Sequence, residues 1–147
     1  MIIPEKKNTH STVILVDDSS IDNFVDSKII TLYKFADNIL VFTKARKALK
    51  YLMEINQSST EEIPGVLFLD LVMPDMDGFE FLNAFSLLPA KIIKNMKIVI
   101  LTSSSNPADI LICKKNDAVV AFYNKPLIRS NLEELEQLIA EKYEIFS

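Results

Sequence analysis

The sequence predicts an α/β fold, a five-stranded parallel sheet with helices on both faces. Three observations point there. Short apolar runs alternate with helical patterns, run then helix, five times along the chain. Runs such as Val13-Ile14-Leu15-Val16 and Ile98-Val99-Ile100-Leu101 are apolar at every residue, the mark of strands buried on both faces. The chain has 147 residues, 49% of them hydrophobic, enough for one domain with a sizeable core. Strict alternation also implies right-handed crossovers.

Met1 to Ser11 reads as a polar lead-in, and residues 12–147 as the domain. Val13 to Val16 forms the first strand and ends in Asp17-Asp18. Ser19 with Asp22 resembles a capping box, and Ile21, Phe24, Val25, Ile29 and Leu32 recur at helical spacing as the inner stripe of the first helix. Ile39 to Phe42 is the second strand. Thr43 can cap the next helix, whose inner face is Ala45, Ala48, Leu49 and Leu52. Asn56 to Glu62 reads as a loop. Pro64-Gly65 opens the third strand, which ends in Asp70, and Pro74 with Asp77-Gly78 turns the chain into a third helix from about Phe79 to Leu88. Pro89 to Met96 is a connection of undefined form.

Ile98 to Leu101 is the fourth strand and runs into Thr102-Ser103-Ser104-Ser105. Asn106 caps a fourth helix with Pro107 at its first position, where a missing N–H costs nothing. Asn116-Asp117 ends it, both types tolerating left-handed geometry. Val119 to Tyr123 is the fifth strand, ending at Asn124-Lys125-Pro126. Ser130 and Glu133 form a capping box for a fifth helix, which buries Leu132, Leu135, Leu138 and Ile139.

The net charge is −4 with acids and bases mixed, which argues against a surface that tracks nucleic-acid phosphates. Cys113 is the sole cysteine, so no intramolecular disulfide forms and a reducing cytoplasm is the expected setting. No apolar run approaches membrane-spanning length, and the N-terminus lacks a signal-peptide core, so no membrane insertion is expected.

In a parallel sheet all C-terminal strand ends share one edge, and ligands bind there where strand order reverses. In the order 2-1-3-4-5 that point lies between strands one and three, bringing Asp17, Asp18 and Asp70 together, with Thr102 and Lys125 ending strands four and five. Three carboxylates raise one another's pKa unless neutralised. A hard divalent cation such as Mg²⁺, which takes a few carboxylates plus waters and phosphate oxygens, answers that need, and Lys125 adds a further positive charge. A phosphoryl group there would meet metal, ammonium, the Thr102 hydroxyl and backbone N–H groups. Asp70, already ionised, could attack phosphorus without a general base.

Asp17-Asp18, Asp70 with Met73-Pro74-Asp75-Met76-Asp77-Gly78, Leu101-Thr102-Ser103 and Lys125-Pro126 are each ordinary alone. In this order and after these strands, the chain resembles the receiver domain of two-component response regulators, of the single-domain, chemotaxis-regulator-like kind. The resemblance runs from about Thr12 to Tyr143. It implies a flavodoxin-like receiver fold in which Asp70 accepts phosphate from a histidine kinase or histidine phosphotransfer protein. It implies that Asp17, Asp18, Asp70 and the Val72 carbonyl hold Mg²⁺. It implies that Thr102 and Phe122 reposition on phosphorylation, that Lys125 contacts the phosphate, and that the peptide before Pro126 is cis. Such a domain catalyses only its own phosphorylation and slow dephosphorylation.

Two positions depart from the commoner family pattern. Phe122 stands where Tyr is usual, and Val72 stands where many relatives carry a polar side chain able to orient water, which predicts slow loss of the phosphoryl group. Leu111 and Ile112 point partly outward from the fourth helix and mark a candidate docking or dimer patch. It lies on the face made by that helix, strand five and the last helix, often used for output in receivers. The chain ends at its last helix, so output by contact with a downstream protein, or relay of the phosphate, is expected rather than an attached output domain. A metal-dependent phosphohydrolase is the second reading, disfavoured because Val72 replaces the general acid–base such enzymes carry two residues after the nucleophile. A phosphate-independent binding module is the third, disfavoured because all five site residues are present.

Overall fold

The computed structural model describes residues 9–57, 63–104 and 106–146. Most of the lead-in, residues 58–62 of the polar loop and Ser105 lie outside the described residues. The elements are β1 (His10–Val16), α1 (Ser20–Leu32), β2 (Ala36–Phe42), α2 (Ala45–Gln57), β3 (Val66–Leu69), α3 (Gly78–Phe85), α4 (Ala90–Asn95), β4 (Lys97–Thr102), α5 (Pro107–Lys114), β5 (Val119–Asn124) and α6 (Arg129–Phe146). The five strands form one parallel sheet in the order β2-β1-β3-β4-β5.

Alternate residues of each strand feed opposite cores. Ile14, Val16, Leu67, Leu69, Ile98 and Ile100 pack under α2, α3, α4 and α5. Val13, Leu15, Val66, Phe68, Val99 and Leu101 pack under α1 and α6. Register sets the functional edge. Val16 pairs with Leu69, so Asp17 and Asp70 leave adjacent strands side by side, and the Asp70 N–H donates to the Val16 carbonyl at 3.0 Å. Thr102 pairs with Asn124, and the Lys125 N–H donates to the Thr102 carbonyl at 3.0 Å.

Several elements differ from the sequence reading. β1 begins at His10, inside the expected lead-in, because the His10 N–H bonds the Phe35 carbonyl and its ring lies 4.6 Å from that of Phe35. The connection after α3 holds the short helix α4, whose Ile92 is fully buried. α5 ends without left-handed geometry at Asn116 or Asp117. Instead the Asn116 carboxamide accepts from the Ala118 N–H and donates to the Leu82 carbonyl. At the start of α6 the Ile128 N–H bonds Asn131 Oδ1 and Glu133 pairs with Arg129, leaving Ser130 within the helix.

The largest correction concerns α1. Its expected inner stripe faces water: Ile21 is 74% exposed, Phe24 64% and Leu32 77%, while Val25 is also exposed and Ile29 is half-buried. The buried residues are Asn23, Asp26 and Ile30. Polar side chains take the inner face at the edge where the strand-end carboxylates lie, which turns the apolar ones outward.

Candidate functional site

β1 delivers Asp17 and Asp18 directly into the N-terminus of α1. Ser19 caps the helix, its Oγ accepting from the Asp22 N–H at 3.2 Å. The Asp22 carboxylate does not complete the box but turns to Lys125. Asp17 is 5% exposed and pinned at both ends: its Oδ1 accepts from the Ser19 N–H at 2.9 Å, and its carbonyl accepts from Asn23 Nδ2 at 2.8 Å. Asp18 is exposed.

Asp70 is also 5% exposed, and its Oδ1 accepts from the Val72 N–H at 3.2 Å. The turn that follows is tight. Asp75 adopts φ 67° and pairs with Arg46, and the Gly78 N–H returns to the Leu71 carbonyl at 3.0 Å. A Cβ at position 78 would lie 2.6 Å from Leu71 Cα and 2.7 Å from the Asp70 carbonyl oxygen, so only glycine fits beside Asp70. Asp77 then caps α3 through a reciprocal box with Glu80.

Lys125 closes the site. Its Nζ contacts the carboxylates of Asp17, Asp22 (2.9 Å) and Asp70 (3.1 Å). Burial alone would depress this ammonium, but the hydrogen bonds to Asp17 and Asp22, with the charge of Asp70 behind them, hold it above the usual lysine range. Burial pushes the Asp17 carboxyl up, against the opposing pull of Lys125 and the Ser19 N–H. The Lys125–Pro126 peptide is cis. Thr102 is fully buried, and its Oγ1 accepts from the Ser104 N–H at 3.2 Å. Phe122, paired with Ile100, packs half-buried on the α2–α5 side of the sheet. The side chain of Val72 is 66% exposed. Leu111 and Ile112 are exposed on α5, apart from these carboxylates in the fold.

Asp17, Asp18 and Asp70 offer oxygens that all lie within 4.8 Å of one another. An all-oxygen, three-carboxylate set suits a hard divalent cation, so the residues present fit a metal. Three further residues at this edge escaped the sequence reading. Asp22 adds a fourth carboxylate, which leaves the formal charge one unit negative even with a divalent cation and Lys125 counted. Asn23 braces Asp17. Asp26, 2% exposed, accepts the Leu127 N–H at 3.2 Å. Their signal was the polar trio 22, 23 and 26, which shares one helical face with Ile30.

Residues 13–139 match the family model for the response regulator receiver domain. The two-component response regulator ORR1 of Oryza sativa subsp. indica is 27% identical over 85% of this chain and 53% of its own length, so the chain spans about half of that curated relative. The crystal structure of a two-component response regulator from Cytophaga hutchinsonii superposes with a TM-score of 0.82 at 25% identity, covering 90% of this chain and 99% of that one. The Mn²⁺-bound form of response regulator Rcp1 superposes with a TM-score of 0.66 at 21% identity, covering 85% and 88%. Among the described residues, no helix is long and apolar enough to cross a membrane.

Proposed function

The chain belongs to the response regulator receiver domain family, and from that premise we propose that it is a phosphoacceptor switch in which Asp70 takes a phosphoryl group from a phosphohistidine. The observation that carries this is the convergence of Asp17, Asp70 and Lys125, which follow β1, β3 and β5 at one edge of the sheet. An Asp70 Oδ atom forms the new P–O bond, the P–N bond breaks, and the leaving imidazole nitrogen keeps the electron pair. Lys125 meets the charge spread over the phosphoryl oxygens, and the Thr102 hydroxyl follows the phosphoryl group once it arrives. Asp17, Asp18, Asp70 and the Val72 carbonyl would hold Mg²⁺, which supplies neutralising charge to the phosphoryl oxygens. That response regulator Rcp1, similar in fold, has a Mn²⁺-bound form is in keeping with a divalent ion here.

The domain acts on no separate substrate, catalysing only its own phosphorylation and slow dephosphorylation. The exposed side chain of Val72 offers no polar group to steer water at the aspartyl phosphate, in keeping with a slow return. The donor is a sensor histidine kinase or a histidine phosphotransfer protein, and the outward apolar face of α1, starting beside Asp18, is the strip it covers. Leu111 and Ile112 on α5 present the surface for a downstream protein or a second copy of the chain. The switch works in the cytoplasm, by protein contact rather than on nucleic acid.

The test is intact-protein mass spectrometry after incubation with acetyl phosphate, with and without Mg²⁺. A Mg²⁺-dependent gain of one phosphoryl group, absent in Asp70→Asn, is the expected result. No gain in the wild type, or a gain that survives in Asp70→Asn, would overturn the reading.

A further inference from the structure

Helix α1 touches the turn that carries Lys125 at two points. Asp22, part-exposed, and Asp26, buried, stand one helical turn apart. The first holds the Lys125 side chain, its Oδ2 accepting from Nζ at 2.9 Å. The second holds the backbone just beyond, its Oδ1 accepting the Leu127 N–H at 3.2 Å in a buried setting. Neither is needed to cap α1, since Ser19 does that through its own hydroxyl. A buried carboxylate is costly to keep without a task, yet Asp26 is 2% exposed.

We propose that Asp22 and Asp26 are positioning residues, a two-point clamp that fixes where the Lys125 ammonium sits over Asp70. The inference rests on the phosphoacceptor reading and deepens it. Of the three carboxylates on Nζ, Asp70 is the one to be phosphorylated and Asp17 belongs to the metal-binding trio. Asp22 is the one that both tasks leave free. It therefore keeps hold of the ammonium when its other partners are engaged, while Asp26 keeps the turn from drifting. Without the clamp, once Asp17 and Asp70 are engaged, Lys125 samples many rotamers, and orientation at the moment of transfer is lost.

The experiment is a double-mutant cycle on the rate of phosphorylation by acetyl phosphate, read by intact mass. Asp22→Ala and Asp26→Ala should each slow the reaction about tenfold, the scale of one charge-assisted hydrogen bond. Asp26→Asn, which keeps an oxygen acceptor for the Leu127 N–H, should restore most of the rate. In a Lys125→Ala background the same changes should matter less than about twofold, because nothing remains to be positioned. An equal tenfold loss in that background, or no loss with Lys125 present, overturns the clamp. Should Asp26→Ala fail to fold, Asp22→Ala decides, since that carboxylate is part-exposed. The NMR signals of the Lys125 ε-methylene in unphosphorylated protein saturated with Mg²⁺, where Asp17 and Asp70 are drawn to the metal, separate this idea from the phosphoacceptor reading. They should show one ordered environment in the wild type and an averaged one in Asp22→Ala, and an unchanged spectrum counts against the clamp whether or not Asp70 accepts phosphate.

Discussion

A single methyl at Gly78 decides whether Asp70 keeps its place. The space a Cβ would need is filled by Leu71 Cα and the Asp70 carbonyl, both backbone atoms that no rotamer change can move aside. Gly78→Ala should therefore cost about 2 kcal/mol or more of stability, read from the urea midpoint, and slow phosphorylation of Asp70 as the turn shifts. Asp26 gives a pH signature. Burial raises its carboxyl to about 6 in the folded protein, above the value of about 3.9 in an unfolded chain. Between those values the folded state holds a proton that the unfolded state has released. Stability from this group is full below about pH 4, falls as pH rises to about 6 and is level above. Asp26→Asn, with nothing to ionise, should gain on the wild type across that window, a difference visible in urea midpoints measured from pH 4 to 8. Residues such as Asp17, Asp18, Asp70, Thr102 and Lys125 were legible because each ends an apolar run. Asp22 and Asn23 stand in the first turn of α1 and Asp26 one turn on, where a polar residue ordinarily means a cap or a solvated face. The β5–α6 turn packed against Asp22 and Asp26, and the Asp17 carbonyl beside Asn23, give them their tasks.

Among the elements, α1 shows how periodicity can mislead. The 3.6-residue rhythm of Ile21, Phe24, Val25 and Leu32 marks a helix, which α1 is, but the rhythm does not say which face is inside. The competing set, Asn23, Asp26 and Ile30, holds the inside because two of its members bond to the site. Phe24→Glu should then leave the urea midpoint nearly unchanged, within about 0.5 kcal/mol, whereas Ile30→Ala should cost about 2 to 5 kcal/mol. The same Phe24→Glu should slow transfer from a phosphohistidine protein while leaving the acetyl phosphate reaction untouched. Equal slowing with both donors would mean that α1 is not where a protein donor sits. The helix α4 was hidden for another reason. Its six residues are too few to display a period, and its place is set by Ile92 entering the core.

For the whole molecule, the parallel sheet with helices on both faces followed from the run-and-helix alternation, because apolar runs buried on both faces admit few arrangements, and the observed order β2-β1-β3-β4-β5 is the one expected for such a sheet. The charge balance of the site did not follow, since Asp22 joins it only through tertiary contact. With four carboxylates and one ammonium at this edge, the folded chain should gain stability from Mg²⁺ by mass action. A concentration one hundred times Kd would add about 2.7 kcal/mol, raising Tm. Chelation should reverse the rise, and Asp17→Asn should abolish it.

The sheet is also a wall. It parts the side chains beneath α1 and α6 from those beneath α2 to α5, and the two groups of buried residues share no member. A flaw on one side is muffled before it reaches the other. Leu52→Ala and Leu135→Ala, on opposite sides, should lower stability by the sum of their separate effects within about 0.5 kcal/mol. Phe81→Ala with Phe85→Ala, whose rings lie 6.2 Å apart on one side, should depart from that sum. Sequence drift on either side thus needs no answering change on the other, and the strands alone must satisfy both.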